Sequence, residues 1–318
     1  MAHKHIVGPA GALHVDDDGA GGVPVVFVHS FAGSTAHWSA QLEWLRKSRR
    51  ALALDLRGHG QSSRPLRDDY AVESFAKDLA VVADSFGLMR FVVVGHSLSG
   101  ATAIVYAATH PERVAGLLLI GAPGKVPEDQ ARQIMAALES DYEKVTEDYW
   151  SRLLTDAQPQ VEKQVRSEMK SMPREPALSI IRAIFEFDPL PALNAYRGPK
   201  MAIVTVHGDT SNDLHHLVPD LPHKLITGTS HWPHMDKPEE FNQMMDGFLG
   251  TVVGVDQRGA SRQTGSGGAR DVRLFRQTTN GSPVAWGDIR WSGYSDKKIQ
   301  SSPRGDGITT PRWAGGRG

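Results

Sequence analysis

Short apolar runs recur along the first 250 residues, separated by stretches with helical spacing. The runs are "VPVVFVH" (23–29), "RRALALDL" (49–56), "RFVVVG" (90–95), "VAGLLLIGAP" (114–123), "KMAIVTVHG" (200–208) and "HKLITG" (223–228). Each is as long as a strand, and most lack an alternating polar face. With helices between them, they predict an α/β fold: a mostly parallel sheet covered on both sides. Leu13–Val15 reads as an edge strand and "DDDGAGG" after it as a turn. Helical spacing is clearest over Val72–Phe86, where Val72, Phe75, Ala76, Leu79, Val82 and Ala83 share a face. Ser99–Thr109 reads as a small-residue helix stopped by Pro111, and Pro238–Phe248 as the closing helix.

Two segments depart from this alternation. Residues 125–190 are charged and helical in pattern with no convincing strand, which predicts a helical cap inserted into a core of 1–124 and 191–250. Residues 251–318 carry eleven Lys and Arg against five Asp and Glu, with many Gly and Ser and few aliphatic residues. Such a segment buries too little apolar surface to offset its ordering entropy, so it is expected to be a disordered tail. Trp286, Trp291 and Trp313 show no periodicity that changes this expectation.

Composition narrows the function classes. A formal net charge of −1 over 318 residues offers no electrostatic basis for binding nucleic acid or an anionic membrane. The absence of cysteine excludes disulfides, thiolate metal sites and a cysteine nucleophile, and fits a reducing compartment. No stretch has the length and apolarity of a signal peptide or a membrane span, so a soluble cytoplasmic protein is expected. Nothing in the pattern points to an oligomeric state.

In parallel sheets of this kind, ligands gather at the carboxyl ends of the strands. His29, Ser30, Phe31, Ala32 and Gly33 follow the first run. His96, Ser97 and Leu98 follow the third. Asp209 follows the fifth, with Asp213 four residues on, and His231 and His234 follow the sixth. The chain order is therefore serine, acid, histidine. A weakly nucleophilic hydroxyl needs a base within hydrogen-bond reach, and the base needs an acid to fix its tautomer.

From about residue 10 to 250 the chain resembles the α/β-hydrolase fold superfamily. The motifs are "VVFVHSFAGS", "ALDLRGHGQSS", "VVVGHSLSG", "LLLIGAP", "MAIVTVHGD" and "GTSHWPHMDKPEEF", in order. The resemblance implies Ser97 as nucleophile on the elbow, His231 as base, and the backbone N–H groups of Phe31 and Leu98 as oxyanion hole. It also implies a serine hydrolase acting on a small ester, thioester or lactone, with no metal and no organic cofactor. Relatives with the same triad also cleave carbon–carbon bonds or peptides or make peracids. A low-turnover, hydrolase-like ligand-binding protein is the reading from another class.

Three positions depart from the family pattern. The oxyanion loop reads His-Ser where His-Gly is usual. Ser99 stands where the elbow normally has glycine, and is read as a spacer. Ser211 occupies the usual place of the acid. Asp209 is preferred as the acid, since "NDLHHL" reads as a short helix capped by Asn212 or Asp213; Asp213 is the alternative. Trp38, Trp232 and Phe31 read equally as pocket walls or plain core, and His29 is a pocket candidate whose simpler reading is a packing or loop-bonding residue. His59 and Asp55 are expected to be structural, and adjacent His215 and His216, with His223, point apart too much to predict a metal site.

Overall fold

The computed structural model describes residues 2–206 and 211–262. The elements run in chain order as β1 (Ala2–Gly8), β2 (Gly11–Asp18), β3 (Val25–Val28), a 3-10 turn (Thr35–Trp38), α1 (Ser39–Leu45), β4 (Ala51–Leu54), α2 (Val72–Ser85), β5 (Phe91–His96), α3 (Leu98–Thr109) and β6 (Val114–Ile120). Five helices then intervene: α4 (Glu128–Ser140), α5 (Tyr142–Leu153), α6 (Pro159–Ser171), α7 (Arg174–Glu186) and α8 (Pro189–Ala195). The remainder is β7 (Lys200–Thr205), α9 (Leu214–Leu217), β8 (His223–Ile226), α10 (Pro233–Asp236) and α11 (Pro238–Arg262).

The strands form one sheet in the order β1-β2-β4-β3-β5-β6-β7-β8. The pairs β1–β2 and β2–β4 are antiparallel; every pair from β4 to β8 is parallel. The strand order reverses at β3, whose neighbours are β4 and β5. Loops leaving β3 and β5 therefore diverge at the carboxyl edge and open a crevice there.

Side-chain parity builds the two faces. Val26, Val28, Val93, Leu117 and Leu119 pack with Phe75, Leu79, Ile104 and Tyr106 under α2 and α3. Val25, Phe27, Val92, Val94, Leu118 and Ile120 pack on the other face with Trp38, Leu42, Phe241, Met245 and Phe248. Consecutive residues of one strand thus serve opposite cores, which requires unbroken apolar runs.

Three expectations are corrected. Leu13–Val15 lies in an inner strand, not an edge strand: β2 is flanked by β1 and β4, and the edge is β1. That edge strand, "AHKHIVG", leaves Val7 89% exposed, so no strong apolar alternation marks it. Asp16 to Asp18, expected in a turn, continue β2. Arg46 donates to Asp16 at 2.8 Å, and Arg50 donates twice to Asp17, which makes carboxylates compatible with a covered strand. Finally, α11 continues to Arg262, past the composition boundary at 250. Val252 explains the first step: it is 1% exposed and packs against Gly116, where a Cβ would approach it to 2.7 Å. The rest of the expected tail, 263–318, lies outside the described residues.

The stretch between β6 and β7 is helical, as expected. Its helices are thinly packed: α4 fully buries Leu138, α5 Val145 and Leu153, α6 Val161 and Val165, and α7 Ala177 and Ile180. Helices α7 and α8 join the main core, α7 through Ala177 and Ile180 and α8 through Leu193, with Tyr196 just beyond it.

Candidate active site

Ser97 stands alone between β5 and α3, at φ 54° and ψ −118°. Such a conformation costs a non-glycine residue about 1–3 kcal/mol and persists only where its surroundings enforce it. Here the Ser97 N–H donates to the Ile120 carbonyl at 2.8 Å, and the Ser97 carbonyl accepts from Gly100 N–H at 2.7 Å. The side chain is thereby presented at the first turn of α3, whose leading N–H groups have no intrahelical acceptor.

The elbow's irregular glycine spacing has a steric answer. A Cβ on Gly95 would come within 2.3 Å of the Ser99 carbonyl oxygen, and one on Gly100 within 2.3 Å of Ala122 Cβ. Close approach is needed at 95 and 100, and not at 99. Ser99 is more than the expected spacer: its fully buried hydroxyl donates to the His29 carbonyl and ties the elbow to the neighbouring loop.

That loop, 29–33, turns tightly. Gly33 N–H donates to the Ser30 carbonyl at 3.1 Å, and Ala32 adopts φ 57°. His29 Nε2 accepts from Leu56 N–H at 3.0 Å, so Nδ1 carries the proton and donates to the Ser30 carbonyl at 2.7 Å. Burial pushes the His29 pKa down, consistent with this neutral tautomer. His29 is fully buried, which makes it a brace beneath the loop and not a pocket wall. The Phe31 N–H donates to no group among the described residues. The Phe31 ring stacks on Trp150 of α5, centroids 5.7 Å apart and planes 5° apart.

His231 lies on the loop between β8 and α10. Its N–H donates to the Leu153 carbonyl at 2.9 Å, and its carbonyl accepts from His96 Nε2 at 2.8 Å. Its ring lies over Gly121, where a Cβ would approach Cε1 to 2.6 Å. Burial, with the Arg152 guanidinium as a lesser cause, lowers its pKa to about 4. Among the described residues Nδ1 has no hydrogen-bond partner. The competitor His234 is fully buried and stacks on Trp38 at 4.1 Å, inside the core. Trp38 is equally sealed, so it does not line open space. Trp232, 1% exposed, joins an apolar cluster of Leu153, Leu154, Val161 and Val165 and packs edge-on to His231.

Of the two candidate acids, Asp209 lies outside the described residues. Asp213 precedes α9 and accepts there through its backbone carbonyl, from His216 and Leu217; its side chain makes no capping bond. Asp55 accepts from Thr35 N–H, Gln61 N–H and His14, and His59 Nδ1 donates to the Arg57 carbonyl, as structural loop residues do. Among the described residues no group of three or more His, Asp or Glu could hold a metal ion. None of their helices is long and apolar enough to cross a membrane.

Some contacts at the site carry no sequence signal. His37, from the 3-10 turn, donates to Glu168 of α6, and Ser34 Oγ donates to the same carboxylate at 3.3 Å. These partners are 131 and 134 positions apart, and no motif links them.

The family model for the alpha/beta hydrolase fold matches residues 23–149. The sn-1-specific diacylglycerol lipase of Mus musculus is 27% identical over 265 residues, covering 73% of this chain and 83% of the lipase. The 2-hydroxy-6-oxo-2,4-heptadienoate hydrolase of Pseudomonas putida is 40% identical over 114 residues, covering 35% of this chain and 41% of that enzyme. A solved esterase from Thermogutta terrifontis superposes with a TM-score of 0.66 at 25% identity, covering 79% of this chain and 99% of its own. Several curated relatives are matched over less than half of their length, 28% to 48%. With the sheet order above, these similarities show that the chain has the α/β-hydrolase fold, which the family model matches over 23–149.

Proposed function

We propose that the chain is a serine hydrolase that cleaves a small carboxylic ester, thioester or lactone through an acyl-enzyme on Ser97. The observation that carries this reading is the enforced backbone of Ser97, at φ 54° on the turn from β5 into α3. In the proposed cycle Ser97 Oγ attacks the carbonyl carbon and His231 Nε2 takes its proton. The new oxyanion is met by the N–H groups of Phe31 and Leu98, each worth about a hundredfold to a thousandfold in rate. The alkoxide or thiolate leaves with the proton from Nε2. Water, deprotonated by His231, then releases the acid.

A pKa near 4 keeps His231 a neutral base at pH 7, and burial makes its protonated form expensive. The imidazolium therefore needs a carboxylate at Nδ1. Asp209 is the proposed donor of that charge, four residues beyond β7, and Asp213 the alternative. The reading needs neither metal nor organic cofactor, and it includes a cytoplasmic location. The 40% identity over 114 residues to a 2-hydroxy-6-oxo-2,4-heptadienoate hydrolase favours C–C cleavage by the same triad as the second reading.

The test is turnover of p-nitrophenyl esters of rising chain length and a lactone panel, with Ser97→Ala, Asp209→Asn and Asp213→Asn beside the wild type. Ester or lactone cleavage abolished by Ser97→Ala and crippled by Asp209→Asn is the expected result. Full activity in Ser97→Ala overturns the mechanism. Loss confined to Asp213→Asn moves the acid.

A further inference from the structure

The helical stretch between β6 and β7 meets the His231 loop at the turn from α5 into α6, and the faces of both helices pack on Trp232. Two hydrogen bonds from backbone N–H groups cross that contact. His231 N–H donates to the Leu153 carbonyl at 2.9 Å, at the last residue of α5. Gln158 N–H, at the N-cap of α6, donates to Asp236 Oδ1 at 2.8 Å. The other oxygen of Asp236 accepts from Ser230 N–H at 2.8 Å and Ser230 Oγ at 2.5 Å. Ser230 Oγ also accepts from Trp232 N–H at 3.1 Å. Ser230 is thus held by one carboxylate and in turn holds Trp232, and that carboxylate also grips the corner.

Packing and strain concentrate at the same place. Trp232 inserts among Leu153, Leu154, Val161 and Val165, and its indole N–H donates to Ser30 Oγ at 3.3 Å. Asp156, in the middle of the corner, adopts φ 64° without being glycine. Asp236 is 7% exposed, so its bonds are shielded from water. A general base must sit within a fraction of an ångström of its working place, and misplacement by about 1 Å costs roughly a hundredfold.

We propose that the α5–α6 corner, joined to the loop 230–236 through Asp236, positions His231, so that the helical insertion holds the general base in place as well as covering it. Asp236 and Gln158 are positioning residues; neither touches the reacting atoms. It follows that an opening movement must leave this corner docked and occur elsewhere in the insertion. The inference rests on His231 being the base.

Gln158→Pro tests it with a minimal change. Gln158 has φ −63°, which proline adopts, so the substitution removes the N–H donor with little change of backbone. Asp236→Asn is the second variant: isosteric, but its amide has one acceptor oxygen for two groups of donors. Ile180→Val, in α7 and away from the corner, controls for general loosening. Two measurements are made on the full chain: the rate at which a fluorophosphonate labels Ser97, and the NMR titration of His231, assigned with His231→Gln. The titration needs no turnover. It is read against the groups around the ring, His96, His234 and Arg152.

Both corner variants are expected to slow labelling about tenfold to a hundredfold, with KM for p-nitrophenyl butyrate within about threefold. Water admitted at the loop should raise the proton affinity of His231 at least tenfold, from a wild-type pKa near 4 toward the ordinary imidazole range. Ile180→Val should change neither. Folded corner variants with wild-type labelling and titration overturn the proposal, as does an equal loss in Ile180→Val. If the wild type neither labels nor turns over, the serine-hydrolase reading fails. The titration still decides: an upward shift in the corner variants alone supports positioning, and no shift refutes it.

Discussion

Strand β5 and helix α6 hold the two halves of the candidate site and are built differently. All six residues of β5 are buried, and its side chains feed both cores. Helix α6 runs for thirteen residues and fully buries Val161 and Val165. Ser97 is attached to the first kind of structure and His231 leans partly on the second. The nucleophile's backbone is therefore enforced by a close-packed sheet. The base depends on contacts that can loosen while the sheet stays intact.

The sharpest way to break this comparison is to make holes of graded size. Phe27 is fully buried, with its ring 4.8 Å from Trp38. Phe27→Ala should lower global stability by about 3–5 kcal/mol in urea unfolding, whereas Ile180→Val in α7 should cost about 0.5–1.5 kcal/mol. Native-state hydrogen exchange should show β5 and β6 opening only with global unfolding, and α6, whose Val161 and Val165 lie outside both cores, opening well before it. Equal protection of the two regions sinks the comparison.

Acid should reach the site next. His59 is held down to about pKa 3 and His231 to about 4, both chiefly by burial. The unfolded chain binds protons on these histidines from about pH 6.5 downward, while the folded chain does not until near 3 to 4. Their contribution to stability is therefore present above about pH 6.5 and is lost as pH falls toward 4. Melting temperature should fall steadily over that window. His59→Gln should flatten the slope, and an unchanged slope would count against the burial argument.

The same contrast explains what the chain discloses before it folds. The strands of both cores are legible because a strand serving two faces must be apolar throughout. The elbow is legible because few residues tolerate its backbone, and Ser97 follows directly on an apolar strand. Strand β1 is hidden because it is paired on one side only and its outer positions face water. The Leu153–His231 bond is hidden for a deeper reason: it joins two backbone atoms, and no residue type encodes it. Ser99 lies between these cases. Its small size is a local requirement, but its bond to the His29 carbonyl becomes visible only when two strand ends come together.

Glu168 provides the next, smaller test. Burial alone would raise its pKa, but the hydrogen bond and charge of His37 outweigh this and hold the carboxyl below its usual range. A depressed carboxylate stabilises the fold above its unfolded pKa and loses that contribution as pH drops through the folded value. Glu168→Gln should cost about 1–2 kcal/mol and speed exchange in α6 while leaving β5 protected. Loss of protection in both would mean that the insertion and the sheet unfold as one unit.

The smallest effect belongs to the outer surface of the insertion. Arg132 and Glu128 pair across one turn of α4 at 3.7 Å, with side chains 71% and 88% exposed. A pair so exposed gains little Coulomb energy in water and loses side-chain entropy to hold its geometry. Arg132→Ala should therefore leave melting temperature and Ser97 labelling within error at 0.15 M salt. A clear loss of labelling would mean that α4 is coupled to the site as tightly as the α5–α6 corner. The contrast between a docked corner and a freer α4 would then have to be given up.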